Sequence, residues 1–209
     1  MPPIDAQGID AFVRAEGEKV WHSIGTRCWC QGKNGQLDPL CKDHDVTGSV
    51  YGPQQTIVGL FTDITQRKEL IATGFFLPGD AVFSPLSGYV VSEGDKITLT
   101  YPLPHGKGDA LVRGMEDSET LLYAPVSPIL VIDDQRRTYR FETDFLFTGK
   151  RIVWQPGGNR PDLGQQYVVK YKGYIDWIAF FPVMERFSHG KDIGQKVLLR
   201  KLHLLRGSE

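Results

Sequence analysis

The amino-acid sequence predicts a mainly β protein, an antiparallel β-barrel or sandwich preceded by one N-terminal helix and a small polar insertion. Apolar residues after residue 53 occur in short runs that turn-forming residues separate. The 209 residues include 23 Gly and 13 Pro together with 11 Phe and 8 Tyr, a composition typical of strands and turns. No amphipathic segment of helix length lies between the runs. Because a parallel sheet needs such crossovers, antiparallel pairing is favoured.

Residues 1–24 are predicted to form an N-terminal arm and helix. The helix is expected over residues 10–24, where apolar side chains recur mostly at spacings of three and four and therefore share one face. These side chains are Ile9, Phe12, Val13, Val20, Trp21 and Ile24. Gly17 weakens the pattern. The apolar stripe could pack on the protein's own core or on a neighbouring subunit.

Residues 25–52 contain every cysteine of the chain and little apolar periodicity, so this segment cannot form a core by itself. Cys28-x-Cys30, a ten-residue loop and Cys41-x-x-His44 together supply three thiolates and one imidazole. Tetrahedral zinc prefers this donor set in structural sites, and four protein ligands leave no open position for water. We therefore predict a structural zinc knuckle, in which metal binding replaces hydrophobic burial. The alternative is three reduced thiols without a metal.

Residues 53–209 are predicted to form the antiparallel β-domain. The expected strands are 56–61, 70–76, 81–83, 89–92, 95–101, 121–124, 129–132, 137–147, 149–154, 167–181 and 197–205. Segment 137–147 alternates most clearly and is expected to be a central strand. A hairpin turn is predicted just before it, at Asp133-Asp134.

Composition and charge argue against several classes of protein. With 24 Lys and Arg against 25 Asp and Glu, the net charge is −1, which disfavours a protein that coats DNA or binds acidic membranes. No cationic N-terminal segment precedes an apolar run, and no apolar stretch is long enough to span a bilayer, so we expect a soluble protein made inside a cell. Three cysteines in one short stretch argue against a disulfide framework and indicate a reducing compartment.

Catalytic signatures are not recognisable in the sequence. There is no Gly-x-Ser-x-Gly elbow and no His-Glu-x-x-His helix, and the Gly-Lys-Gly of residues 106–108 is too short for a phosphate loop. Acid pairs such as Asp133-Asp134, or Asp109 with Glu116, are usually solvated in turns. The histidines outside the cysteine segment lack a paired acid or nucleophile at a recognised spacing and are predicted to be structural or surface residues: His22, His105, His189 and His203. We therefore predict that the protein is not an enzyme.

Two groups of charged residues leave alternatives open. Asp43 and Asp45 flank His44 and could orient its imidazole, or could be solvated loop acids. Basic residues of the β-domain could face DNA along a channel wall, or form the ordinary charged exterior of a sheet. They are Arg136, Arg137, Lys170, Lys172, Arg200, Lys201 and Arg206.

The cysteine segment also carries a longer succession of residues. In order, these are Cys28-x-Cys30, Gly35, Asp38-Pro39, Cys41-x-x-His44, Thr47-Gly48 and Tyr51-Gly52. This succession resembles a pattern in structural proteins of tailed bacteriophages, where Cys-x-Cys leads through Asp-Pro to Cys-x-x-Cys and a Gly-Thr-Gly turn. Residues 79–80, 94–97, 166–171, 176–177 and 194–201 are similar to the same group. Two positions depart from the pattern, since His44 replaces its fourth cysteine and Val46 its first turn glycine.

The resemblance covers most of the chain after residue 25 and is to head-tail connector proteins, among which a stopper-like neck protein fits best. It implies a virion structural protein, assembled in the host cytoplasm, whose β-barrels form an oligomeric ring in the neck. Such a ring joins portal or adaptor proteins to tail proteins, helps to retain packaged double-stranded DNA without reading its sequence, and contacts no membrane. Loops 102–114 and 156–164 are candidates for inter-subunit clamps or channel gates.

A function of a different class remains as the alternative. A zinc knuckle could be a cellular module that binds single-stranded nucleic acid. Trp29 and Tyr51 would then serve as surfaces on which bases stack.

Overall fold

Strands dominate the protein, as predicted. The computed structural model describes residues 6–31, 36, 38, 41, 43–44, 47–64, 77–188 and 191–205. Among these residues strands far outnumber helices, and a closed six-stranded antiparallel barrel follows a short N-terminal helix, so the predicted fold class is confirmed. In chain order the described elements are α1 (Ala6–Glu16), β1 (Glu18–Ser23), β2 (Gly25–Arg27), β3 (Ser49–Tyr51), β4 (Gln55–Asp63), β5 (Ala81–Pro85), β6 (Lys96–Leu99), β7 (Leu103–Pro104), β8 (Asp109–Val112), β9 (Ser118–Thr120), β10 (Ala124–Asp133), β11 (Phe145–Thr148), β12 (Arg151–Trp154), β13 (Gln166–Tyr174), β14 (Asp176–Ser188), β15 (Lys191–Lys201) and α2 (Leu202–Leu205).

The barrel belongs to the first of two compact units, which comprises Met1–Thr100 and Asp176–Glu209. Its strands close in the order β1-β4-β5-β15-β14-β6, and every neighbouring pair is antiparallel. Val20 of β1 pairs with Ile57 of β4 on one side and with Leu99 of β6 on the other. All three side chains are at most 2% exposed. Strand β1 therefore completes the ring of strands around an apolar core.

Gly59 of β4 shows how closely neighbouring strands pack in this barrel. A Cβ atom at Gly59 would lie 2.4 Å from the ring of Phe83 on β5 and 2.7 Å from the carbonyl oxygen of Ser84. Phe83 is fully buried, at 0% exposure. The glycine therefore provides the space that the phenyl ring fills, and a side chain at this position would displace part of the core.

The N-terminal helix is shorter than the predicted segment 10–24. Helix α1 ends at Glu16, and the remainder of the segment forms β1. Gly17, whose N–H donates to the Val13 carbonyl at 2.8 Å, follows the last helical residue, as expected from its poor helix propensity. Val20 and His22 are then buried at alternate positions, which is the period of a strand. This segment is a strand because it pairs with β4 on one side and with β6 on the other, although the spacing of Val20 and Trp21 suggested a helix.

Helix α1 packs on strands β4 and β15 of its own chain. Val13 is buried at 2% exposure, while Phe12 is 56% exposed. The Ser87 N–H also donates to the Asp10 carboxylate at 3.2 Å. The stripe thus covers the protein's own barrel, and its docking on a neighbouring subunit stays a prediction.

The second unit, Tyr101–Ile175, contains two small antiparallel sheets. In one sheet, β13 pairs with β10 and also with β7 and β8; in the other, β12 lies between β11 and β9. Aromatic rings fill the space inside this unit. The Trp154 ring lies 5.3 to 5.9 Å, edge to face, from Tyr139, Phe145 and Tyr167. Such contacts add to the stabilisation that burial alone provides.

Three predicted strands are wrong in extent. Within 137–147 only the final residues belong to a strand, β11, because Arg136 and Glu142 take positive φ angles of 64° and 66° and the chain folds around buried carboxylates. The 167–181 run breaks at Ile175 into β13 and β14. Segment 197–205 is a strand only as far as Lys201 and continues as α2.

The other predicted strands agree with the structure to different degrees. Segments 56–61, 81–83, 129–132 and 149–154 contain or lie within strands, and 95–101 contains β6. Segment 89–92 is not a strand, and 121–124 contributes only Ala124, the first residue of β10. Segment 70–76 lies outside the described residues. Within the part of the chain that is described, no helix is long and apolar enough to cross a bilayer.

Candidate metal centre

A short hairpin carries the cysteine segment. Strands β2 and β3 pair antiparallel, with Gly25 opposite Tyr51 and Arg27 opposite Ser49. The ladder continues one step further, since the Cys28 N–H donates to the Gly48 carbonyl at 2.9 Å. The first cysteine is therefore placed by regular backbone pairing at the point where the two strands part.

The four residues predicted as ligands come together beyond this point. The Sγ atoms of Cys28, Cys30 and Cys41 and one ring nitrogen of His44 all lie within 4.8 Å of one another. No disulfide forms, and the three thiols are free. The group is compatible with a bound metal ion.

The spacing of the sulfur atoms matches a shared ligand. The Sγ atoms of Cys28 and Cys41 are 3.7 Å apart. Two sulfurs bonded to one tetrahedral zinc at about 2.3 Å would be separated by about 3.8 Å, whereas the S–S bond of a disulfide is about 2.0 Å. A thiol-rich set is also unsuited to magnesium or calcium, which take oxygen ligands.

The thiols have unequal proton affinities. Burial raises the pKa of the Cys28 thiol to about 11, and hydrogen bonding with Cys30 and Cys41 contributes. Burial also acts to raise the pKa of Cys30. The backbone N–H of Asp38, the thiols of Cys28 and Cys41 and the charge of His44 outweigh it, so this pKa is lowered. In the cluster, Cys28 favours its protonated thiol, whereas the neighbouring Cys30 favours the thiolate. A bound metal cation would favour the thiolate form still more.

The neighbouring groups hold the fourth residue in place. The Nε2 atom of His44 lies 3.3 Å from the carbonyl oxygen of Asp38, so an Nε2–H donor leaves Nδ1 for a metal. Asp43, which the sequence offered as a partner of His44, instead accepts from the Cys41 thiol at 3.9 Å and is exposed. Asp45 lies outside the described residues.

The aromatic residues of the hairpin differ from each other. Trp29, between the first two cysteines, is 71% exposed. Tyr51 is half-buried, and the Lys96 ammonium lies 4.1 Å from the centroid of its ring. Trp29 therefore presents a free aromatic surface, whereas one face of the Tyr51 ring is covered.

Two histidines have acidic partners that the sequence did not reveal. His22 hydrogen-bonds to Asp95 at 2.8 Å, and His105 to Asp109 at 3.1 Å. The first pair is 73 residues apart in the chain and has no local signal, whereas the second is a short i,i+4 spacing that could have been noticed. Both histidines are buried, at 1% and 3% exposure, as expected of structural residues.

Three of the basic residues that could have faced DNA contact other side chains of the protein. Arg200 donates two hydrogen bonds to buried Asp80. Arg137 binds Asp133 at 2.6 Å. Lys201 lies 5.7 Å from the centroid of the Trp177 ring. These three cations make contacts within the protein, while Arg136 and Lys172 are exposed and keep both interpretations open. Arg206 lies outside the described residues.

Comparisons with protein-family models and with curated proteins find no match.

Proposed function

We propose that Cys28, Cys30, Cys41 and His44 hold one structural zinc ion. The observation that carries this proposal is the convergence of three sulfurs and one imidazole nitrogen within 4.8 Å of one another, with the Cys28 and Cys41 sulfurs at about the separation that a shared tetrahedral ion gives. Zinc would supply a cross-link between the two ends of the loop that β2 and β3 enclose. Because four protein donors saturate the ion, this site has no position for a substrate or an activated water.

We infer further that the protein is a non-enzymatic component of a tailed phage virion, assembled in the bacterial host and located in the neck. There it forms an oligomeric ring that links portal or adaptor proteins to the tail and helps to retain double-stranded DNA. The support is the resemblance of the cysteine segment and of residues 166–171 and 194–201 to head-tail connector proteins. A closed antiparallel barrel with a metal-fastened hairpin suits such a role, because ring proteins act through rigid interfaces.

One observation favours the second candidate, a module that binds single-stranded nucleic acid. The exposed indole of Trp29 lies on the cysteine hairpin, where a base could stack on it. The Lys96 contact on Tyr51 and the net charge of −1 weigh against an extended stacking platform.

The neck function is tested in particles that lack this protein. We expect phage particles made without it to contain DNA but no tail, and wild-type protein supplied in trans to restore tails. Normal tail attachment in its absence would contradict the proposal. Tight binding of single strands by a monomer, with affinity that falls steeply between two salt concentrations, would favour the second candidate.

A further inference from the structure

A buried histidine and aspartate lie beneath the base of the cysteine hairpin. His22 of β1 and Asp95, which precedes β6, are 1% and 2% exposed, and Nε2 lies 2.8 Å from Oδ2. The Gln55 side-chain amide donates to His22 Nδ1 at 2.8 Å. In the tautomer that fits both contacts, Nδ1 accepts from the amide and Nε2–H donates to the carboxylate.

The same carboxylate holds the first residue of the hairpin. The Gly25 N–H donates to Asp95 Oδ1 at 2.9 Å. The Asp95 backbone is fixed in turn by β14, because the Ala179 N–H donates to the Asp95 carbonyl at 2.8 Å. The Ser92 N–H donates to Oδ2 at 2.8 Å. Asp95 thus fixes the start of β2 relative to the barrel strands.

The two ends of the hairpin differ in how tightly they meet their surroundings. A Cβ atom at Gly25 would lie 2.1 Å from the Gly94 carbonyl oxygen, so only glycine fits there without a backbone shift. At the other end, a Cβ at Gly52 would lie 3.7 Å from the Ile24 carbonyl, an ordinary contact. The backbone of the β2 end is therefore packed more tightly against its surroundings than that of the β3 end.

Docking of Gly25 sets the position of the first ligand. Cys28 follows β2 directly, and its N–H continues the ladder to Gly48 at 2.9 Å. Metal–ligand distances tolerate only about 0.2 Å of error. A small displacement at the base of the hairpin is consequently large on the scale of the site.

We infer that the His22–Asp95 pair is the link through which the barrel orders the hairpin for metal binding. The inference rests on the proposed zinc site. If the barrel favours zinc binding through this link, then bound zinc must stabilise the docked barrel by the same factor, because coupling free energies are reciprocal. His22 and Asp95 are positioning residues, since neither is among the four clustered donors.

The first test compares Gly25→Ala with Gly52→Ala in the full chain. Zinc affinity is measured by competition with a chromophoric chelator, and the thermal midpoint is measured with and without zinc. We expect Gly25→Ala to weaken zinc binding by about tenfold or more and to reduce the zinc-induced rise of the midpoint. Gly52→Ala should stay within about twofold of wild type, because its Cβ meets only an ordinary contact. Equal affinity and equal midpoint shifts in Gly25→Ala and wild type would overturn the inference.

A second pair of variants separates this link from general destabilisation. Asp95→Asn removes the charge that binds both His22 and Gly25, whereas Asp80→Asn removes an equally buried barrel carboxylate bound by Arg200. We expect both to lower the zinc-free midpoint, but only Asp95→Asn to weaken zinc binding. Equal loss of affinity in the two would overturn the link. Failure of the wild-type chain to bind zinc would instead overturn the proposed site itself, so the two failures are distinguishable.

Discussion

Two irregular regions of this protein are held in different ways. The cysteine hairpin converges on three sulfurs and an imidazole. The segment 133–144 of the second unit folds around carboxylates. Asp133 accepts hydrogen bonds from the backbone N–H groups of Gln135 and Arg137, the Arg137 guanidinium, the Tyr139 hydroxyl and the Gln165 amide. Asp144 accepts from Arg140 and Asn159. Both regions order their chain around polar centres, hydrogen-bonded carboxylates in the second and, under our proposal, a metal ion in the first.

The difference lies in the apolar surroundings of each polar centre. Tyr139 reaches from Asp133 into the aromatic cluster, where its ring lies 5.3 Å from that of Trp154. Among the described residues of 25–52, only Cys28 and Gly48 are buried, and Trp29 points to solvent. A carboxylate suffices where a core lies beside it, whereas a segment without a core needs a stronger cross-link.

Removal of zinc is expected to give the largest effect, in the hairpin and in the barrel strands that Asp95 links to it, but not in the second unit. The proposed site would lose a binding free energy of roughly 10–16 kcal/mol, so amides of β2 and β3 should lose their protection from hydrogen exchange. Amides of β13 should keep theirs, since the aromatic core of the second unit does not depend on the ion. Mass-spectrometric hydrogen exchange before and after chelation measures both. Unchanged protection of β2 and β3, with zinc loss verified by elemental analysis, would contradict the comparison.

Truncation of Trp154 should destabilise the second unit and leave the metal site of the hairpin intact. Its side chain is 2% exposed, contacts three aromatic rings and donates through Nε1 to Glu119 at 2.8 Å. We expect Trp154→Ala to lower the free energy of unfolding of the second unit by about 3–5 kcal/mol while zinc stoichiometry stays the same. Denaturant titration followed by circular dichroism, together with zinc analysis, measures these quantities.

Trp29→Ala is the matched control, because it removes the same side chain from a site that is 71% exposed. It should change the free energy of unfolding by no more than about 0.5 kcal/mol. A cost below about 1 kcal/mol for Trp154→Ala would show that the aromatic cluster does not hold the second unit.

Two features of the protein could be predicted because each depends on residues that lie close together in the sequence. The four clustered donors lie between residues 28 and 44, so their spacing alone could indicate a common site. Alternating burial in β13, with Tyr167, Val169 and Tyr171 inside, was equally readable because it is a property of one strand. Both features are local.

Features that depend on distant partners could not be predicted. Closure of the barrel requires β1 to pair with both β4 and β6, and nothing near Val20 specifies strands that begin about 35 and 75 residues later. The His22–Asp95 pair is equally remote. In 137–147, apolar alternation suggested a strand, but the bonds that Asp133 and Asp144 accept favour turns over a ladder.

Acidification should separate the two regions by their pH dependence. Burial alone would raise the pKa of Asp133, but hydrogen bonds from Tyr139 and Arg137 and the charge of Arg137 lower it to about 2. The pKa of an unfolded Asp is about 3.9, so this carboxylate contributes stability above about pH 4 that is lost as the pH falls towards 2. Metal ligands must be deprotonated, so protons compete with zinc at a higher pH. On acidification we therefore expect zinc release before the second unit unfolds, measured by zinc-dye fluorescence and near-ultraviolet circular dichroism.

Tyr139→Phe sharpens this comparison by removing one donor from Asp133 without removing the ring from the core. Burial and the adjacent carboxylate raise the pKa of Tyr139 above its ordinary value, so the hydroxyl stays protonated and donates at every pH of the titration. Its loss should raise the pKa of Asp133, shift acid unfolding of the second unit to higher pH, and cost about 1 kcal/mol at neutral pH. Zinc release should keep its midpoint. Tyr89→Phe, at a side chain that is 37% exposed, is the control and should shift neither transition. If Tyr139→Phe left acid unfolding where it is in the wild type, the hydroxyl would not be part of what holds the Asp133 carboxylate ionised, and that role would fall to its other donors, the Arg137 guanidinium, the Gln165 amide and the backbone N–H groups of Gln135 and Arg137.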